Sequence, residues 1–196
     1  MCGITGFLTD NINSRDEMSG ICLKMSKSIS HRGPDNSDIW ADPHVGISLG
    51  HQRLAILDLS ENGNQPMHSK SGRYVVSYNG EIYNHQSLRG EIEGSSYWEG
   101  SSDTETLLAA IETWGIEKAL SKLVGMFAFA LWDKQRNKLI LARDRMGEKP
   151  LYYFTDENSI IFSSRPKSIL KIYPNLKKNI DKESLNFYLS AGYFPR

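Results

Sequence analysis

The chain is 196 residues long, enough for one domain with a sizeable core or two small ones. Its 23 lysines and arginines balance 23 aspartates and glutamates, and a formal net charge of zero leaves no basic footprint for nucleic acid or an anionic membrane surface. No apolar run reaches the roughly 18 residues of a membrane span, no signal peptide opens the chain, and two cysteines outside any CxxC pair argue for a reducing compartment, so a cytoplasmic protein is expected.

A short apolar strand is predicted from Ile4 to Leu8, directly behind Cys2 and Gly3. Met18, Ile21, Cys22, Met25 and Ile29 follow at the spacing of one buried helical face, and Arg32-Gly33-Pro34-Asp35 breaks that helix. Alternating Val45, Ile47 and Leu49, the run Leu54 to Leu59, and Tyr74 to Tyr78 read as strands, with turn chemistry at Asn62-Gly63-Asn64. Ser102 and Glu105 form a capping box ahead of a helix that carries Leu107, Leu108, Ile111 and Trp114. Strands are predicted over Met126 to Trp132, Lys138 to Ala142 and Leu151 to Phe154, the last pairing with Ile160 to Ser163 through Asp156-Glu157-Asn158. A weak helix, Leu185 to Leu189, runs into Gly192-Tyr193-Phe194-Pro195-Arg196, and the chain stops there without a cap or polar tail, as a connection cut short would. Strands joined by tight turns, with helices grouped rather than alternating one by one, indicate an α+β fold of mostly antiparallel sheets with helices on their faces.

Four positions could carry chemistry. Cys2 is either a small apolar residue at a strand start or, once the initiator methionine is removed, a thiol on the residue that also bears the free α-amine, a nucleophile with its own base. Cys22, on the apolar face of a helix, reads as core. Asn79-Gly80 is a turn signal or a side-chain amide and backbone N–H that could both face an oxyanion. Arg53 lies in an apolar stretch, where a buried guanidinium calls for a carboxylate partner, internal or from a substrate. Asp103, at a helix start, either complements the helix dipole or reaches for an ammonium group. One arginine and one or two acids around a small cavity would recognise an amino acid by its α-carboxylate and α-ammonium. The five histidines fall into no HxxxH or HExxH spacing, and no metal site is expected.

These pieces, in this order, closely resemble the glutaminase domain of glutamine-hydrolysing asparagine synthetases, class II glutamine amidotransferases with an N-terminal nucleophile. The segments that carry the resemblance are MCGITGF, HRGPD, GHQRLAILDLS, NQPM, YNGEIYNH, SSDTETLL, GMFAFALWD and LARDRMGEKPLYY, which together span nearly the whole chain. The resemblance implies a four-layer α/β/β/α sandwich of two mostly antiparallel sheets. It implies Cys2 as nucleophile with its α-amine as base, and Asn79 with the Gly80 N–H as oxyanion hole. Arg53 would bind the carboxylate of glutamine, Glu81 and Asp103 its α-ammonium, and the backbone of Leu54, Ala55, Ile56 and Leu57 would line the pocket. The implied reaction is hydrolysis of L-glutamine to glutamate and ammonia through a γ-glutamyl thioester.

Residues 2–180 would then form the amidotransferase domain and 181–196 the start of a connection to a C-terminal synthetase domain that makes asparagine. No cofactor is implied for residues 2–180; ATP and Mg²⁺ would serve only the synthetase domain, whose SGGxDS-type loop does not occur in this sequence. The implied partners are L-glutamine and that domain, with a homodimer left open and neither nucleic acid nor membrane expected. Ser164-Arg165-Pro166-Lys167 departs from the Ser-Glu-x-Lys usual in the family, and Met146 and Glu148 stand where apolar residues are more common. Two other classes compete with this reading: a non-catalytic module that binds an amino acid or docks a partner, and an amidotransferase whose acceptor is not aspartate.

Overall fold

A computed structural model describes residues 2–11, 14–92, 98–178 and 180–194. Strand β1 (Gly3–Thr9) leads to helix α1 (Arg15–Lys27), which Ser14 caps by accepting from the Glu17 N–H at 3.4 Å. Asp16 and Glu17 in its first turn and Lys24 and Lys27 in its last complement the helix dipole. Strands β2 (Asn36–Asp42), β3 (Ile47–Arg53), β4 (Met67–His68) and β5 (Tyr74–Ile82) follow, then helices α2 (His85–Glu91), α3 (Asp103–Trp114) and α4 (Ile116–Lys122). The chain continues through β6 (Gly125–Asp133), β7 (Lys138–Arg143), β8 (Tyr152–Thr155), β9 (Ser159–Ser163), α5 (Pro166–Ile172) and α6 (Lys182–Ala191).

The strands form two sheets, one in the order β2-β3-β1-β9-β8 and one in the order β4-β5-β6-β7, and their pairings are antiparallel. Because successive side chains of a strand face opposite ways, each sheet presents two faces, and three apolar clusters fill the spaces that result. Met18, Cys22 and Met25 of α1 and Ile169 of α5 pack on Phe7 and Ile161 of the first sheet. Ile47, Leu49 and Phe162 of that sheet meet Val75, Ala130 and Trp132 of the second. The far face of the second sheet, through Val76, Tyr78, Ile82, Phe129 and Leu131, is covered by Leu88, Leu107, Ile111 and Ala119 of α2 to α4. Helices, sheet, sheet and helices therefore stack in that order, an α+β fold with four layers.

Three readings change. Leu54 to Leu59 is a loop, not a strand. The neighbours of β3 end with it, since Gly3 of β1 lies opposite Gln52 and Asn36 of β2 opposite Arg53, so no strand remains to pair with residue 54 onward. The Leu54 N–H goes instead to Cys2 Sγ at 3.3 Å and the Ala55 N–H to Asp35 Oδ2 at 2.8 Å. Asn79 and Gly80 lie inside β5, which continues to Ile82. Strand β2 has no alternating pattern to betray it, and α2, α4 and α5 span seven residues each, too short for a helical stripe.

Candidate active site

The faces of β3 and β5 that meet between the sheets change character along their length. On β3 they run from Ile47 and Leu49 to His51 and Arg53, and on β5 from Val75 to Ser77 and Asn79. At the polar end a pocket opens. Cys2, Arg53, Asn79, Gly80, Glu81 and Asp103 line it, as do Leu54, Ala55, Ile56 and Leu57 of the loop after β3, so all ten residues singled out from the sequence meet there.

Cys2 sits one residue ahead of β1, half-buried, with its thiol against the Leu54 peptide. Burial pushes this thiol up, while the Leu54 N–H and nearby positive charge, that of Arg53 included, pull it down. Its carbonyl accepts from Arg32 Nε at 2.9 Å, which ties down the peptide that leads into the strand. Cys22, by contrast, is wholly enclosed, and burial drives its thiol up to about 12. It is a core residue.

Asn79 is 1% exposed, and neither its Nδ2 nor its Oδ1 has a hydrogen-bond partner among the described residues. Buried amides are nearly always paired, and an unmade bond costs about 1–3 kcal/mol, so this is an amide held ready for a group that is not protein. Beside it, the Gly80 position admits only glycine, because an added Cβ would stand 2.5 Å from the Met126 carbonyl oxygen. Strand alternation puts the Gly80 N–H on the edge of β5 that faces away from β6. There β4 has already ended, its last pairing being Met67 with Val76. The N–H groups of Tyr78 and Ile82 on the same edge are taken by Gln65 Oε1 at 2.7 Å and Asp103 Oδ2 at 2.8 Å. The Gly80 N–H between them has no strand to pair with.

Arg53 is 8% exposed and is held by neutral oxygens rather than by a carboxylate. Nη1 donates to Ser60 O at 2.8 Å and Asn64 Oδ1 at 2.7 Å, and Nη2 donates to Asp58 O. Of the two partners the sequence left open, an internal carboxylate is absent among the described residues, and Nε and the second Nη2 hydrogen make no bond to them. An added Cβ at Gly63 would collide with Nη2, so a larger residue there would push the guanidinium from its place. Asp58 braces the loop from the other side: Oδ1 accepts from the Ser60 hydroxyl at 2.6 Å, Oδ2 from the Ser101 N–H at 2.8 Å, and these bonds hold its carboxyl below the usual range.

Asp103 is 5% exposed and heads α3, whose N-cap Ser102 accepts from the Glu105 N–H at 3.3 Å. Half of the capping box therefore forms. Glu105 turns its own carboxylate to the Glu99 and Gly100 N–H groups at 2.7 and 3.1 Å. Asp103 Oδ2 accepts from the Tyr78 hydroxyl at 2.7 Å as well as from Ile82, and Glu81 stands part-exposed on the same wall. A guanidinium and two carboxylates thus share a pocket with a thiol and an unpartnered amide.

Arg32, His51, Gln65 and Tyr78 also belong to this framework. They lie inside the quoted segments HRGPD, GHQRLAILDLS, NQPM and YNGEIYNH, but nothing in their spacing separates them from structural residues. His51 is 1% exposed, shares a hydrogen bond with Tyr78 O through Nε2 at 2.9 Å, and is lowered by burial to about 4. No group of three or more His, Cys, Asp or Glu that could hold a metal occurs among the described residues, and no described helix is long and apolar enough to cross a membrane.

Known proteins resemble this chain in fold and in sequence. A solved structure of glutamine phosphoribosylpyrophosphate (PRPP) amidotransferase from B. subtilis, complexed with ADP and GMP, superposes on the chain with a TM-score of 0.71 at 22% identity. The match covers 86% of this chain and 43% of that one, a likeness of fold. Asparagine synthetase [glutamine-hydrolyzing] 3 of Bacillus subtilis is 40% identical over 198 residues, covering 98% of this chain and 31% of its own length. Amidase chry2 of Gibberella zeae is 37% identical over 178 residues, covering 87% and 26%. The chain therefore spans less than a third of the length of these relatives. The family model for the glutamine amidotransferase domain matches residues 1–196, and the chain, with a thiol, a buried amide and side chains of both charges lining one pocket, belongs to that family.

Proposed function

We propose that this domain hydrolyses L-glutamine to glutamate and ammonia with Cys2 as nucleophile. The observation that carries the reading is the buried Asn79 amide, without a partner, lining the same pocket as the thiol. With Met1 removed, the α-amine of Cys2 takes the thiol proton as Sγ attacks the side-chain carbonyl carbon of glutamine. Asn79 Nδ2–H and the Gly80 N–H receive the developing oxyanion. Collapse breaks the C–N bond, the ammonium of Cys2 returns its proton to the leaving nitrogen, and ammonia departs from a γ-glutamyl thioester. Water then attacks the thioester, with the same amine as base, releasing glutamate and the thiol. The free N–H groups of Arg53 bind the substrate α-carboxylate as a fork, and Asp103 and Glu81 bind its α-ammonium. The peptide groups of Leu54 to Leu57 form the wall between them.

The extra length of the relatives and the name of the Bacillus subtilis protein support a role as the glutaminase part of an asparagine synthetase. Residues 2–180 act as the glutaminase unit in the cytoplasm and need no cofactor of their own. Residues 181–196, which include the largely exposed α6, begin the connection to an ATP- and Mg²⁺-dependent part that amidates aspartate. The relative named as an amidase favours a second reading, in which the ammonia goes to a different acceptor.

Labelling with 6-diazo-5-oxo-norleucine, followed by peptide mass spectrometry and an ammonia assay, tests the chemistry. The expected result is a chain that starts at Cys2, carries one adduct there and none on Cys22, and loses ammonia release in step with labelling. A processed chain that binds glutamine but neither reacts nor turns it over would make this a non-catalytic binding module.

A further inference from the structure

The short β4 leaves more than the Gly80 N–H uncovered. Tyr78, two residues beyond the last β4 pairing, turns both its N–H and its C=O to the same open edge. Side chains take the place of the missing strand. Gln65 Oε1 accepts from the Tyr78 N–H at 2.7 Å, and His51 Nε2 approaches Tyr78 O at 2.9 Å. A carbonyl can only accept, so Nε2 carries the proton and Nδ1 is a bare acceptor, buried and without a partner among the described residues. That orphan costs stability. A leucine in the same space would avoid the cost, so packing does not account for a histidine here. The hydrogen bond to Tyr78 does.

The residue so gripped is the one before Asn79. Its hydroxyl donates to Asp103 Oδ2, the oxygen that also accepts from the Ile82 N–H, so the segment from Tyr78 to Ile82 is pinned at both ends with Asn79 and Gly80 between. Taking Asn79 and Gly80 as the oxyanion donors proposed above, we propose that His51 is a positioning residue for them: its Nε2–H fixes the Tyr78–Asn79 peptide from which the Asn79 amide projects. Oxyanion stabilisation depends on donors placed before the charge develops, so looseness in that peptide lowers the rate of the chemical step and leaves ground-state binding of glutamine at Arg53 and Asp103 nearly unchanged.

The test compares the processed full chain with His51→Leu and His51→Gln. The glutamine side chain would return an N–H near the position of Nε2, whereas the leucine would return none. The expected outcome for His51→Leu is a kcat lower by about 10- to 100-fold with KM for glutamine within about threefold of wild type, and for His51→Gln recovery to within a few-fold. The aldehyde analogue of glutamine, which forms a tetrahedral adduct with the thiol, should weaken in proportion to kcat, and glutamate should bind as before. The inference is overturned if His51→Leu, shown by cooperative unfolding to be folded, keeps wild-type kcat, if its loss lies in KM alone, or if His51→Gln falls as far as His51→Leu. Should His51→Leu not fold, His51→Asn, whose amide stops short of Tyr78 O, takes its place with the same expectations. A wild type that releases no ammonia overturns the glutaminase reading and this inference together, whereas an active wild type with an indifferent His51→Leu overturns this inference alone.

Discussion

The space between the two sheets has a dry end and a polar end, built from the same faces of the same strands. At the dry end Ile47, Leu49, Val75, Ala130, Trp132 and Phe162 close on one another with almost no exposure. A few residues further along β3 and β5, His51, Arg53, Ser77 and Asn79 occupy equivalent places and are nearly as buried. The difference lies in satisfaction. Apolar side chains complete their contacts within the protein, whereas the polar end leaves Asn79 unpartnered and part of Arg53 unbonded among the described residues. Stability is concentrated at one end and unused binding capacity at the other.

Substitutions should therefore separate the two ends. Cys2→Ala should cut ammonia release by about 1,000-fold or more and leave the unfolding midpoint nearly unchanged, since the thiol is half-buried and bonded only to the Leu54 peptide. A large fall in the midpoint would make Cys2 part of the core after all. Trp132→Ala, at 1% exposure, should cost about 3–5 kcal/mol in chemical denaturation while the folded fraction keeps its kcat; a kcat loss in folded protein would erase the division between the ends. Acid should act on the polar end. Burial is the main cause and Arg53 a lesser one that lower His51 from its ordinary value of 6.5 to about 4, against the pull of Tyr78 O, so above pH 6.5 the ring carries no penalty from protonation. As pH falls from 6.5 to 4 the unfolded chain takes up a proton that the folded one refuses. The wild type should then lose about 3 kcal/mol relative to His51→Gln across that window, and parallel pH–stability curves for the two would contradict it. Ser102→Ala should have the smallest effect, about 1 kcal/mol from loss of the α3 cap, detectable as a slightly higher KM because α3 presents Asp103.

Much of this is legible in the sequence. The capping box, the Met18 to Met25 stripe and most strands follow from local patterns, and the ten pocket residues follow from motifs that keep their order along the chain. The Leu54 to Leu59 run misleads because a run of apolar residues cannot reveal that its partner strands have ended. Leu57 and Leu59 are in fact exposed at 42% and 79%, on a loop that Asp58 and Arg53 hold by its polar atoms. Strand β2 escapes notice because an edge strand with polar faces carries little alternation. The supporting bonds of His51, Gln65 and Tyr78 escape for a different reason. They depend on where β4 stops, a property of three-dimensional pairing that no single segment contains.

The guanidinium of Arg53 is fixed in place without a carboxylate bonded to it among the described residues, since each of its hydrogen-bond acceptors there is a neutral oxygen. Asp103 and Glu81 line the same pocket with the opposite sign. On the glutaminase reading, the cavity is a fixed dipole matched to a zwitterion, and free glutamine brings both charges needed to complete it. A glutamine residue within a polypeptide brings neither, because its α-groups are amides, and it would strand the dipole in a dehydrated site. Discrimination between a metabolite and the same side chain in a protein is thus built into the charge layout.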